Sequence, residues 1–443
     1  MNDYVLSGRA KTFLFTLMGI GVLCMGLTWM NDDAIHSRLW SNILHNSVFF
    51  TGIAFMAAFF FAICVTAYAG WHVLFKRVFE AISMFLIPGF VIMVLIAVAT
   101  YAHMHHLYHW SDTSLLDPAN ENFDAILASK KGFLNRNWYL FGTIIIVGIW
   151  TFFAYKMRTL SVLEDSGQGE NFSVHRSIRK YAAIFLPIAG FSSAAIIWQW
   201  VMSIDAHWYS TMFAWYASAS WFVSMIAMTI MILLYLKSKG YYEEVLPDHI
   251  HDMGKFLFAF SIFWTYLWFS QYMLIWYANI GEETVYFKHR ADEYPVLFYG
   301  NIVINFLVPF FVLMRNDTKR KFGSVGLVAG IVFVGRWVDY FLMIKPGVLH
   351  TAHEVAGHGH HGAEGHGDHA GEAAHHGAEA IAHAGEHASS FVSGFTLPGF
   401  LEIGTFLGFL GFFLFFVMTA LSRAPLVGKN DPYLEESKHH HVV

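Results

Sequence analysis

The sequence predicts an all-α polytopic membrane protein of about ten transmembrane helices. Charged residues make up only 13% of the 443 residues, about half of the roughly 25% that soluble domains carry. Hydrophobic residues reach 56% of the chain, and they are concentrated in long runs. So few charges cannot cover the surface of a soluble protein of this length, and lipid must therefore be the solvent for much of the molecule.

Each apolar run meets the requirement of about 20 residues for crossing a hydrocarbon layer of about 30 Å. A lone apolar segment in lipid must satisfy its own backbone hydrogen bonds, which predicts helices. A β-barrel would show alternating segments instead, whereas these runs are apolar on all faces. The predicted spans are 11–30, 47–70, 79–103, 138–157, 180–203, 215–236, 255–279, 295–314, 325–345 and 397–421.

Lys and Arg residues are distributed unevenly between the two sides of this topology. The side that holds both termini carries 18 of the 27 Lys and Arg residues, and the opposite side carries seven. Positive residues concentrate in cytoplasmic loops. The sequence therefore predicts a multi-pass protein of the bacterial inner membrane with both termini in the cytoplasm.

An internal repeat relates spans two to five to spans six to nine. Segments 137–158 and 294–315 match in position and both end in Met-Arg. A parallel repeat of four spans predicts two four-helix bundles of the same orientation, with chance similarity between apolar helices as the alternative. The predicted organisation is one membrane domain (1–443) with a peripheral first helix (11–30), a first bundle (47–203), a second bundle (215–345) and a tenth helix (397–421).

Residues 350–387 form a low-complexity insert of His, Gly, Ala and Glu that contains eleven histidines. Small residues cannot build a core, so the sequence predicts a mobile loop on the periplasmic side. The insert could bind Zn²⁺, Ni²⁺ or Cu²⁺ weakly, buffer protons, or be a solvated insertion without a role.

The sequence predicts that the chain holds no metal and no redox cofactor of its own. Cys24 and Cys64 are too few for an iron–sulfur cluster, which needs about four thiolates, and no haem-attachment motif occurs. The histidines, including His45 and His207, fall at predicted helix ends or in loops rather than at mid-membrane. No basic patch indicates nucleic acid as a partner.

Ionisable residues within the predicted spans are few and are candidates for function. Arg336 and Asp339 are spaced i, i+3, so they share a helix face and can pair. We expect either a proton relay or quinone-side anchor, or a pair that only fixes helix packing. Glu402 could join Asp339 in a periplasmic path for protons, and Tyr272 could line it.

A second candidate site lies after the fifth span, where Asp205, His207, Trp208 and Tyr209 follow one another among further aromatic residues. A quinol headgroup needs apolar and aromatic walls and a carboxylate or imidazole that accepts its proton. The alternative is an aromatic belt at the membrane interface, which such proteins commonly have.

Two stretches of this sequence resemble a known family. SIDAHWYSTMFAWYASAS (203–220) and YLWFSQYMLIWYANIGEET (266–284) are similar to the NrfD/PsrC family of quinone-interacting membrane subunits. The resemblance covers nearly the whole chain except the His-rich insert. It implies ten spans, two four-helix bundles and no haem ligands. By position, His207 matches the periplasmic histidine of the quinol-oxidising members, although its sequence context differs.

The resemblance also implies partners. It places the chain in a respiratory quinol:cytochrome c oxidoreductase of the alternative complex III type. Partners would be a homologous NrfD-like subunit and periplasmic iron–sulfur and haem c subunits that take electrons from menaquinol, with a terminal oxidase as a further partner. The other functions that the sequence leaves open are a stand-alone proton-coupled transporter and a purely structural anchor for a periplasmic redox assembly.

Overall fold

The computed structural model describes residues 4–120, 123–167, 172–361 and 394–441, with only the backbone of 354–361. These residues form helices joined by short loops, and no strand occurs among them. The helices are α1 (Gly8–Met30), α2 (Ser37–Thr66), α3 (Lys76–Ser83), α4 (Leu86–Tyr101), α5 (Ala125–Lys130), α6 (Arg136–Asp165), α7 (Ser173–Trp200), α8 (Thr211–Ser238), α9 (Pro247–Ala278), α10 (Gly281–Glu293), α11 (Pro295–Ile302), α12 (Val308–Leu313), α13 (Asn316–Arg320), α14 (Phe322–His361), α15 (Phe400–Leu421) and α16 (Leu434–Lys438).

The prediction of an all-α, multi-pass membrane protein is confirmed. In the part of the chain that the structure describes, nine helical segments are long and apolar enough to cross a membrane. The predicted seventh span is also a helix, α9, but it is not among the nine. Its six Trp and Tyr residues between positions 264 and 277 give it a lower hydropathy than its neighbours.

The two helices that extend furthest beyond their predicted spans are α2 and α14. α2 begins at Ser37 rather than at position 47, because the Asp32 carboxylate accepts the backbone N–H groups of Arg38 and Leu39 at 3.1 and 2.7 Å. α14 extends beyond residue 345 to His361. Of the predicted His-rich insert, residues 362–387 lie outside the described residues, so its predicted metal or proton binding stays a prediction.

Prolines interrupt two of the membrane-crossing segments. The third predicted span is divided into α3 and α4 just before Pro88. The eighth contains a π-helical segment, Val303–Leu307, just before Pro309. Proline has no N–H and its ring clashes with the carbonyl four residues earlier, so the backbone there must leave regular α-helical geometry.

α2 and α8 form the centre of the molecule. Their most apolar windows are 89% and 83% buried, against 22% for α1. α2 packs on α3, α4 and α7, and α4 and α7 both pack on α6. α8 packs on α9 and α14, and α12 packs on both α9 and α14. α2 contacts α8 and joins the two groups of helices.

α1 lies outside these groups and packs mainly on α15. The two helices meet at glycines: a Cβ atom added to Gly21 would lie 2.4 Å from the Cα atom of Gly408. Such a distance leaves no room for a side chain. In membranes, close backbone approach at small residues is a main source of helix–helix attraction, because helices surrounded by apolar lipid gain no hydrophobic free energy when they associate.

The segment after α15 folds back over one end of the helices. Lys76 pairs with Asp431 at 2.6 Å and with Glu164 at 3.0 Å. Further along the segment, the Ser437 hydroxyl accepts the backbone N–H of Leu74. Buried polar groups of α3, α6 and the C-terminal segment therefore form their ion pairs and hydrogen bonds with one another.

We expect Gly21→Leu to lower the stability of the protein in detergent by about 1–3 kcal/mol, the usual cost of overpacking a close contact. Gly19→Leu is the matched control, because a Cβ atom at Gly19 meets nothing within 4 Å. Thermal unfolding of the two variants and the wild type measures the difference. Equal stability of both variants would contradict the glycine contact.

Candidate functional site

The most deeply buried carboxylate network surrounds Asp339 in α14, whose side chain is fully buried. The Ser220 hydroxyl donates to it at 2.8 Å, the Trp264 indole N–H at 2.9 Å and the Asn301 amide at 2.8 Å. The Tyr216 hydroxyl is its fourth donor. Tyr216 and Ser220 are spaced i, i+4 on α8, so they present donors from one helix face. Three helices therefore converge on this carboxylate.

Arg336 lies one turn before Asp339 and is also fully buried. Its Nη2 atom is 3.4 Å from the Asn305 carbonyl oxygen, and its guanidinium carbon lies 4.2 Å from the centre of the Trp264 ring. The expected ion pair with Asp339 is not formed in the described part of the chain. The spacing is as predicted, but neutral donors from other helices occupy the carboxylate.

Around this pair, several buried polar atoms have no hydrogen-bond partner among the described residues. They include Nε and Nη1 of Arg336, Oδ1 of Asn305, Nε2 of Gln271 and Oγ of Ser261. Leaving such atoms unpaired costs about 1–3 kcal/mol each. Buried polar atoms of this kind are the usual partners of internal water molecules.

A small cavity of about 20 Å³ adjoins the Asp339 network. Its polar lining residues are Tyr216, Gln271, Tyr286, Arg290 and Asn301, and apolar side chains line the remainder. A buried water needs roughly 10–15 Å³ and polar partners. The cavity thus has the size and the chemistry to hold one water molecule between the donors of Asp339 and the Arg290 guanidinium.

Arg290, on α10, connects this cavity to the predicted Asp205. Its Nη2 atom donates to the Asp205 carboxylate at 2.9 Å, its Nε atom donates to the Leu342 carbonyl oxygen at 2.8 Å, and its guanidinium carbon lies 3.4 Å above the Tyr286 ring. The Asp205 side chain is 22% exposed. Polar groups therefore extend from the buried Asp339 to the protein surface.

The structure separates the four residues of the predicted quinone cluster. Trp208 and Tyr209 line one open cavity of about 420 Å³, together with Lys130, Phe133, Leu134 and other residues. Asp205 and His207 are not among its lining residues. Asp205 pairs with Arg290, and His207 Nε2 lies 2.5 Å from the Asp124 carboxylate.

Asp124 and His207 form a partly exposed pair at the surface. The His207 side chain is 44% exposed. Burial would raise the pKa of Asp124, but the backbone N–H of Leu127 and the hydrogen bond to His207 outweigh it and lower that pKa. The imidazole expected to receive a quinol proton is therefore already engaged with a carboxylate.

Glu402 belongs to a second buried network rather than to that of Asp339. It accepts hydrogen bonds from Arg38 at 2.7 and 3.0 Å and from Asn42 at 3.2 Å. Lys345, fully buried, donates to Ser41 at 2.7 Å and to Asn42 at 2.6 Å. The network thus gathers polar side chains of α2, α14 and α15.

Tyr272 stacks on Trp268, with ring centroids 5.6 Å apart. Tyr272 is not among the residues that line the water-sized cavity, whereas the preceding Gln271 is.

His45 corrects an expectation about the histidines. It lies within α2, is 1% exposed, and its Nε2 atom is 2.9 Å from the Trp337 carbonyl oxygen. Sequence reasoning placed it at a helix end because Ser, Asn and His lower the hydropathy of the first turns of α2. These polar residues point into the bundle instead.

Sequence reasoning also missed several members of the two networks. Lys345 is the last residue of the predicted ninth span, 325–345, and Arg290 lies in the predicted loop after the seventh span; neither was a candidate site residue. The i, i+4 spacing of Asn301 and Asn305 in an apolar span was a usable signal, because polar residues there face the bundle interior.

One group of described residues has the spacing of metal ligands. Atoms of Glu164, His175 and Asp431 lie within 4.8 Å of one another. The Lys76 ammonium already pairs with both carboxylates, at 3.0 and 2.6 Å. The positive charge that a cation would supply is therefore provided by the chain itself.

Comparisons of the sequence with protein-family models and with curated proteins found no match.

We expect His72, which lies near this Lys76 cluster, to make stability depend on pH. Burial lowers the pKa of His72 to about 4, below its unfolded value of about 6.5. At a pH between these two values, His72 binds a proton in the unfolded chain but not in the folded protein. The free energy of unfolding should therefore fall by roughly 1.4 kcal/mol per pH unit as the pH drops from about 6.5 to 4.

Thermal unfolding of the wild type and His72→Phe at pH 7 and pH 5 measures this effect. The variant keeps an aromatic ring but cannot titrate, so it should lose about 2 kcal/mol less than the wild type over this range. The exposed residue His439 gives the control, His439→Phe. An identical pH dependence of His72→Phe and the wild type would refute the assignment.

Proposed function

We propose that this chain is a membrane subunit of a respiratory quinol:acceptor oxidoreductase that carries protons through its second group of helices. The resemblance of 203–220 and 266–284 to NrfD/PsrC-like subunits supports this, and the F subunit of bacterial alternative complex III is the counterpart that we propose. The proposal includes α9 as a tenth span, a location in the bacterial inner membrane and cytoplasmic termini.

We further propose two four-helix bundles, one of α2, α3–α4, α6 and α7 and the other of α8, α9, α11–α12 and α14. The contacts among these helices support this arrangement. α1 and α15 are then the two peripheral helices. The first helix of each bundle, α2 or α8, is in both cases the most buried one, which agrees with the repeat expected from the sequence.

The observation that carries the functional proposal is the fully buried Asp339 with its four donors from three helices. A charged group at the centre of a bilayer costs roughly 2.5–3.5 kcal/mol on insertion scales, so ionisable residues there commonly serve ion or proton pathways. A structural role for this residue would not require the unpaired polar atoms around it.

The route that we propose leads from Asp339 through Tyr216 and Asn301 to the water-sized cavity. From there it continues past Arg290 to Asp205 at the surface, on the side predicted to be periplasmic. An arginine does not release its proton at ordinary pH. Arg290 therefore orients water and holds Asp205, while the hydroxyl, water and carboxylate groups move the proton.

Quinol oxidation at this subunit is the weaker candidate. The cavity beside Trp208 and Tyr209 is large enough for a headgroup, but its lining, within the part of the chain that the structure describes, contains no carboxylate or imidazole. A general base must reach the proton that it accepts. We therefore assign menaquinol oxidation to the homologous partner subunit and proton conduction to this chain, which holds no redox centre of its own in this proposal.

We expect Asp339→Asn to abolish proton translocation by the intact complex in proteoliposomes, while quinol oxidation continues in the presence of an uncoupler. Asn keeps the shape of Asp but cannot accept and release a proton. Asp317→Asn, whose side chain is 73% exposed, is the control. An unchanged ratio of protons to electrons in Asp339→Asn would rule out the route and favour a structural anchor.

Membership of a redox complex has a separate test. Affinity purification of the tagged chain from its native membrane in mild detergent should yield c-type haem and an iron–sulfur protein in fixed ratio. A chain that purifies alone, and that transports protons by itself in proteoliposomes, would instead favour the stand-alone transporter.

A further inference from the structure

A groove of about 520 Å³ separates the peripheral pair α1–α15 from the central helices α8 and α14. Its walls are apolar side chains such as Phe13, Met231, Phe333 and Leu410. All four helices are long and apolar enough to cross a membrane, so we expect the groove to face hydrocarbon.

The dimensions of the groove match one hydrocarbon chain. Its lining residues on α15 run from Phe406 to Met418, which is about 18 Å of helix. One leaflet of a bilayer with a core of about 30 Å is about 15 Å deep. On α14 the wall includes Gly330, where a Cβ atom would meet nothing within 4 Å. This glycine leaves space that a side chain would fill.

Polar groups are confined to one end of the groove. Tyr4 and Tyr235 line it there, and the Lys239 ammonium lies 5.7 Å from the centre of the Tyr235 ring. Arg9 is exposed in the first turn of α1 and lies four residues before the lining residue Phe13, so the two share the side of the helix that borders the groove. The structure shows no ion pair for Arg9 or Lys239 within the described residues. An apolar groove that ends at two exposed cations matches a lipid with a negative headgroup.

We propose that this groove binds one acyl chain of an anionic phospholipid, whose phosphate lies against Arg9 and Lys239. The phospholipid would fill the space between the peripheral helices and the bundle. Each cation near an anionic headgroup contributes roughly fivefold to binding, so the pair should favour an anionic over a zwitterionic lipid by about 30-fold. This proposal does not depend on proton conduction.

Native mass spectrometry of the purified protein, with any subunits that it retains, tests the groove. Gly330→Leu should lose a lipid that the wild type retains through detergent washing. Gly323→Leu is the control on the same helix, because Gly323 also has open space but does not line the groove. A bound mass equal to menaquinone would show that an isoprenoid tail is the occupant and would overturn the proposal.

The headgroup has its own test, which does not alter the groove. Wild type and the double variant Arg9→Gln, Lys239→Gln are delipidated and then titrated with phosphatidylglycerol or phosphatidylethanolamine. Thermal stabilisation of the wild type should require about 30-fold less phosphatidylglycerol than phosphatidylethanolamine. The double variant should respond equally to both lipids. Equal responses of the wild type, or a preference that survives in the variant, would refute the role of the two cations.

Discussion

The fully buried carboxylate of Asp339 constrains how the second group of helices can pack. Its donors come from α8, α9 and α11, so these helices must meet α14 at one depth. In a hydrocarbon layer, no solvent competes for the carboxylate and none compensates for a lost donor. Because these neutral donors surround the carboxylate, Arg336 lacks its expected partner. Several unpaired polar atoms lie beside it. Packing and the proposed proton chemistry thus share one set of side chains.

Two arginines lie against backbone carbonyl groups that lack their helical hydrogen bond because a proline follows four residues later. Pro309 disrupts the hydrogen bond to the carbonyl four residues earlier, and Arg336 lies 3.4 Å from that oxygen, on Asn305. Pro346 does the same to Leu342, whose oxygen accepts Nε of Arg290 at 2.8 Å. A proline in a membrane helix therefore frees a backbone acceptor, and a buried cation lies against that acceptor. The proposed polar route passes beside both prolines.

Composition was enough to predict a helical membrane protein, because spans in lipid are recognised by length and apolarity alone. It could not give the limits of α14, or those of α2, whose first turns carry inward-facing polar residues. Same-face spacing predicted that Arg336 and Asp339 are neighbours, but their partners lie on other helices. Lys345 was not recognised as a buried network residue for the same reason: its burial depends on α2 and α15, which are distant in sequence.

The glycine contact between α1 and α15 has a consequence for biosynthesis. The main packing partner of α1 is α15, which begins more than 350 residues later in the chain. Until α15 has been synthesised, the Gly21 face of α1 must be covered by lipid or by an insertion factor. The contact between these two helices is therefore formed late, after α1 has been inserted.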